Sequence, residues 1–251
     1  MISAPRPQDD QRAFKDVPND QELMEMHVRA LFTHDARGRL LSVNEPWGGA
    51  PAPAPRLFVG RTRAGHVWRV RADLPESLAA DLAALCATEP AGRELQREPR
   101  HAEAYVRLLA GHAPVRETSA GPAYRFTEYP EPARPLLELT ETDAGRLQGG
   151  FDEFIEELAT AQPFVAVSAE GRVASVCRSV RITEAAHEAG VETLPEFRRR
   201  GYAGDVTAGW ARLVRALGAV PLYSASWENT ASQAVARKLR LALYGADYQV
   251  T

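Results

Sequence analysis

The chain has 251 residues, 45% hydrophobic and 25% charged, enough apolar content to bury a core in one large domain or two modest ones. Its formal net charge of -3 gives no global positive field for nucleic acid or acidic lipid, so neither is an expected partner. Cys86 and Cys177 stand far apart with no CxxC spacing, so no metal site is expected and the thiols read as a reduced cytosolic pair.

Residues 1–20 are polar and Pro-rich, lack an apolar signal-peptide core, and read as a flexible tail. No apolar run approaches the ~20 residues that span a bilayer, so a soluble cytoplasmic protein is expected. Residues 21–134 read as an N-terminal α/β domain without a nucleotide, metal or nucleophile motif. Within it, 40–43, 56–60 and 66–72 have strand character, and the alternating prolines of 48–55 make a loop or polyproline stretch. Ser77 to Cys86 reads as a helix with Ser77 as N-cap and Leu78, Leu82 and Leu85 as its stripe; Tyr105 to Ala110 reads as a second.

Three prolines in residues 130–135 mark a linker. Beyond it the patterns are crisper. Leu136 to Thr140 is an expected strand, Phe151 to Leu158 an amphipathic helix, and Phe164–Ser168 and Val173–Ile182 two strands joined at a Gly turn. Ala186 to Leu194 is a further strand, stopped by Pro195. Gly201 to Leu217 is the strongest helix, with Val206, Trp210, Leu213, Val214 and Leu217 on one face. A short strand (Val220–Ser224), a helix from Asn229 to Leu239 and a last strand from Leu241 to Val250 follow.

The segment Arg198 to Gly204 is a strand-to-helix turn with two glycines. The first N–H groups of a helix lack internal acceptors and its dipole is positive there, so such an end suits phosphate or pyrophosphate. Gly201 removes the Cβ that would block an anion, Ala203 and Gly204 keep the first turn narrow, and Arg198, Arg199 and Arg200 add donors. The spacing is neither a Walker loop nor G-x-G-x-x-G.

Arg198-x-x-Gly201-x-Ala203 resembles the Q/R-x-x-G-x-G/A motif of the GNAT superfamily of N-acetyltransferases. Asn229-x-Ala231-Ser232-x-x-Val235-Ala236-x-Lys238-Leu239 is similar to the N-x-x-S-x-x-V-A-x-K-L-G-F run of many members. The resemblance covers residues 135–251. It implies an α/β fold with a mixed, mostly antiparallel sheet flanked by helices, and acetyl transfer from acetyl-CoA to a small-molecule or peptide amine. It further implies that the backbone of Val191, Glu192 and Thr193 pairs with the pantetheine arm. Arg199 through Gly204, Tyr202 included, would hold the pyrophosphate, with Arg198 among the cofactor-binding residues, and Asn229 would contact the cofactor besides capping its helix. A homodimer is left open.

Amine acylation needs a base for the protonated amine and a proton for the departing thiolate. In the family the base projects from the strand before the phosphate turn, where His187 and Glu188 fall. Strand alternation lets only one of them face the substrate, and a bulge in this strand would swap them. The tyrosine that serves many members as acid is replaced by Ala236, and Arg240 stands where glycine is usual. Tyr244, Tyr223, Ser226 and water are the candidates to take over as acid, and the sequence does not choose among them. The missing tyrosine also motivates the competing expectation, a non-catalytic acyl-CoA-binding or regulatory protein.

Overall fold

The computed structural model describes residues 18–92 and 94–251, so most of the expected tail lies outside the described residues. That tail cannot extend to residue 20, because a helix the sequence reading passed over starts there. Helix α1 (Asp20–Leu31) opens with a capping box: Asn19 Oδ1 accepts from the N–H groups of Gln21 and Glu22, and Glu22 reaches back to the Asn19 N–H at 2.8 Å. It buries Leu23, Met24, His27 and Val28, one face of two turns.

Strands β1 (Phe32–His34) and β2 (Leu40–Val43) form a small antiparallel pair. Next come β3 (Leu57–Thr62), β4 (His66–Val70), α2 (Glu76–Cys86), α3 (Ala102–His112) and β5 (Thr118–Arg125). Helix α2 is preceded by Pro75 rather than by the expected Ser77 cap, and its cap position makes no side-chain hydrogen bond. The two-residue strand β6 (Leu137–Glu138) stands where five residues were expected, and a short helix α4 (Ala144–Leu147) follows. The expected helix at 151–158 is instead two 3-10 turns, Asp152–Phe154 and Glu156–Ala159. Eight residues are too few to nucleate a helix readily, and i→i+3 bonds such as Phe154 N–H to Phe151 O bury Phe151, Phe154 and Leu158 equally well.

The remaining elements lie within a residue or two of expectation: β7 (Phe164–Ala169), β8 (Arg172–Ile182), β9 (Ala186–Thr193), α5 (Tyr202–Ala216), β10 (Val220–Ser224), α6 (Thr230–Lys238) and β11 (Ala242–Val250). They join one nine-stranded sheet of order β4-β3-β11-β5-β10-β9-β8-β7-β6. Among the described residues every neighbouring pair in it is antiparallel except β9–β10.

The chain boundary at 134/135 therefore does not divide the sheet. Strand β11, from the C-terminal half, pairs on both edges with strands of the N-terminal half, β3 and β5, and β5 in turn pairs with β10. Strand β5 was hidden by Gly121 and Pro122, which argue against a central strand. The Pro122 carbonyl accepts from Ala225 N–H, so its missing N–H falls on the β10 side, beyond the last β10–β5 pair, Ser224–Ala123. A Cβ at Gly121 would lie 1.8 Å from the Ala225 carbonyl oxygen, so only glycine permits this approach.

Helices α2, α3, α5 and α6 cover one face of the sheet, where Tyr105, Leu82 and Tyr248 form one core and Trp210, Val206 and Tyr223 another. Helix α1 and the turns of residues 141–159 cover the opposite face, with Met24, Phe58 and Tyr244 in one core and Phe154 and Phe164 in the other. No helix of the described residues is long and apolar enough to cross a membrane.

Candidate active site

Strands β9 and β10 run parallel through three pairs, Ala186–Val220, His187–Pro221 and Glu188–Leu222, and then part. Beyond that point β9 stays with β8 while β10 stays with β5, which opens a wedge in the middle of the sheet. Helix α5 begins near the mouth of the wedge. Gly201 is its N-cap at φ 90°, a conformation glycine adopts without a Cβ penalty, and Gly204 and Asp205 N–H close the first turn onto the Gly201 carbonyl.

Val191, Glu192, Thr193, Arg198, Arg199, Arg200, Gly201, Tyr202, Ala203, Gly204 and Asn229 all line one cleft of about 810 Å³. Lys238, from the last turn of α6, completes its cationic wall: Nζ donates to the Gly201 carbonyl at 3.1 Å. A Cβ on Gly201 would meet that Nζ at 2.7 Å, so the glycine leaves room for the ammonium group. The reading of the turn had not included Lys238, although the residue was visible in the α6 motif; only packing brings α6 against the turn.

The arginines are not equivalent. Arg198 Nε donates to the Thr193 carbonyl at 3.2 Å, and Arg200 pairs with Glu170 at 2.8 Å and lies over the Phe197 ring. The Arg199 side chain has no ion-pair partner among the described residues, and its backbone is left-handed at φ 60°. Arg134, from the proline-rich connection, bonds Asp205 and the Arg200 carbonyl and stacks on Tyr202, which ties the connection to the turn. Asn229 acts as a cap, accepting from Ser232 N–H at 2.9 Å. Ala236, 1% exposed, is packed into the core behind the cleft.

The three residues expected for proton transfer lie elsewhere, and none lines this cleft. His187 and Glu188 point to opposite faces, as alternation requires. The bulge expected in their strand is in the neighbour: Val180 of β8 is the extra residue between Ser179–Ala189 and Arg181–Glu188, so β9 keeps its alternation. His187 faces α5, with Nδ1 2.9 Å from Ser179 Oγ, which itself accepts from Trp210 Nε1. Burial holds its imidazole below the ordinary value. Tyr244 is the extra residue of a bulge in β11 against β5; it is 1% exposed and its hydroxyl has no hydrogen-bond partner. Burial and the carboxylates of Glu188, Asp247 and Asp20 raise its phenol well above the ordinary range.

Glu188 stands at the apex of the wedge, 2% exposed, at the centre of a chain of polar groups that no motif announced. One oxygen is 2.5 Å from His27 Nδ1; the other accepts from Ser224 Oγ at 3.1 Å. His27 Nε2 is 3.0 Å from Asp247 Oδ2. Burial alone would lower the His27 imidazole, but Glu188 and Asp247 outweigh it and push it up to about 10, so His27 is an imidazolium between two carboxylates at neutral pH. His27 comes from α1, Asp247 from β11 and Ser224 from β10, and only the common sheet brings them to Glu188.

The GNAT acetyltransferase family model matches residues 151–246. No curated protein matches the chain. Among solved structures, a GNAT-family protein from Novosphingobium aromaticivorans is similar at 19% identity over 54% of this chain and 65% of that one, TM-score 0.44, so the chain spans just under two thirds of its length. A GCN5-related N-acetyltransferase-like protein from Streptococcus suis is similar at 16% identity over 79% and 85%, TM-score 0.44. An aminoglycoside N-acetyltransferase solved with CoA is similar at 22% identity over 42% and 89%, TM-score 0.35. The matched segment, residues 151–246, spans β7 to β10 and includes the parallel pair at which the mixed, mostly antiparallel sheet parts, so it is this part of the chain that is similar to the GNAT acetyltransferase family.

Proposed function

We propose that the protein transfers an acetyl group from acetyl-CoA to a primary amine of a small molecule or peptide. The observation that carries this reading is the single cleft in which the opened edge of β9, the first turn of α5, Lys238 and the Asn229 cap meet. A pyrophosphate there would meet a helix N-terminus, a guanidinium and an ammonium group, the donor set polyanions favour. The acyl end would then point toward the apex and Glu188. As the amine nitrogen bonds to the thioester carbonyl carbon, the C–S bond breaks. One ammonium proton passes to Glu188 and another leaves on the thiolate sulfur. Water or Tyr223, whose hydroxyl donates to the Ser232 carbonyl at 3.2 Å, would give the sulfur its proton.

Two observations favour a second reading, acyl-CoA binding without turnover: Glu188 is covered by α1, and Ala236 offers no acid. Calorimetry with acetyl-CoA, beside thiol release over a panel of primary amines, separates the two. Binding with turnover supports the transferase, binding without turnover on any amine the second reading, and no binding removes both.

A further inference from the structure

We propose that Ser224 is the hydroxyl through which Glu188 works, and that His27 and Asp247 are positioning residues that hold Glu188 for this exchange. The proposal rests on the transferase reading above. Glu188 is sealed: α1 lies on it, one oxygen is taken by His27, and the other meets Ser224. Ser224 is the half-buried member of the chain Ser224–Glu188–His27–Asp247; the other three are at most 8% exposed. It ends β10 two residues past the last β9–β10 pair, where the wedge opens. A proton reaching Glu188 from that side therefore crosses the Ser224 oxygen.

The step balances. The amine gives a proton to Ser224 Oγ as Ser224 gives its own to the Glu188 oxygen it already touches. After acyl transfer the proton returns to solvent by the reverse route. His27 keeps both N–H bonds throughout. The unit of two carboxylates and one imidazolium passes from one net negative charge to none, so the buried site never holds two uncompensated charges. The charged and titratable groups facing the unit from neighbouring elements are Tyr244 of β11, Asp20 of α1 and Arg181 of β8.

The test uses the full chain, acetyl-CoA and the amine of the panel turned over fastest. Ser224→Ala is expected to lower kcat by about 100-fold, the scale of acid–base assistance. Acetyl-CoA affinity by calorimetry should stay within about 2-fold, and Ser224→Thr, which keeps a hydroxyl, should recover most of the rate. Nitrogen NMR of the His27 ring supplies a readout without an acceptor: its imidazolium signal should survive Ser224→Ala, which also certifies the fold, and Asp247→Asn should lower its titration midpoint. If Ser224→Ala keeps its kcat while Glu188→Gln loses it, Glu188 is reached without Ser224 and the relay is wrong. If Asp247→Asn leaves the His27 titration in place, the positioning role is wrong. A parent chain that binds acetyl-CoA but turns over no amine overturns the transferase reading, and the relay with it.

Discussion

Stability at mildly alkaline pH carries a signature of His27. The imidazole titrates at about 10 in the folded chain against an ordinary 6.5. A raised value stabilises the folded state in full below 6.5, and that stabilisation is lost as pH rises through about 10. Between these limits the folded chain holds one more proton than the unfolded one, so unfolding free energy falls by about 1.4 kcal/mol per pH unit. Over the whole interval the loss is at most about 5 kcal/mol. Other groups narrow the useful window. Burial pushes the Cys86 thiol up to about 12 and raises Cys177, so both thiols add their own losses near and above pH 9. His34 and His187, lowered by burial, act below neutrality. Urea unfolding at pH 7.0, 7.4 and 7.8, below the ordinary thiol range of about 8.5 to 9, is the assay. His27→Gln should flatten the slope, and Asp247→Asn, which keeps the imidazole, should shorten the range over which it holds. A His27→Gln chain as steep as the parent would falsify the assignment of the imidazolium to the Glu188–Asp247 bridge.

Gly201→Glu should weaken acetyl-CoA binding by about 100-fold in calorimetry with unchanged far-UV circular dichroism, because a side chain at φ 90° is strained and its carboxylate would pair with Lys238. Undiminished affinity would move the pyrophosphate site elsewhere. Tyr244→Phe removes a buried hydroxyl that has no partner and should raise stability by about 1 kcal/mol in urea unfolding; a loss of similar size would reveal a bond to that hydroxyl. Residues 135–251 expressed alone should lack near-UV circular dichroism and associate, because β11 pairs only with β3 and β5 and β10 would present a bare edge. A monomeric, cooperatively unfolding fragment would mean that β11 finds another place in the sheet.

The parts of the fold that were legible are those whose information is local. Helix α5 announced itself by Val206, Trp210, Leu213 and Val214 on one face, whereas the expected fifth member, Leu217, stands exposed just past its end; β7 to β10 did so by short apolar runs between turn residues. Helix α1 carried an Asn-x-x-Glu capping box and was legible in principle, although its place beside a Pro-rich segment hid it. Strand β5 was not, because Pro122 is tolerated only beyond the last β10–β5 pair and Gly121 is needed where Ala225 crosses close to it. The two 3-10 turns at 152–159 show the same limit: spacing identified the buried residues but not the backbone that buries them.

At the site, the turn proposed to take the pyrophosphate was legible locally, since glycine at a left-handed helix start and neighbouring cations are properties of one short segment. Tertiary structure alone decided how Glu188 is held. Strand alternation sent His187 to the other face, a bulge in β8 rather than β9 kept it there, and the partners of Glu188 arrived from positions 27 and 224, with Asp247 on the far side of the His27 ring. A carboxylate's partners are set by distances of about 3 Å. Distances of that kind between residues 161 and 220 positions apart exist only once β11 has slotted between two strands of the N-terminal half.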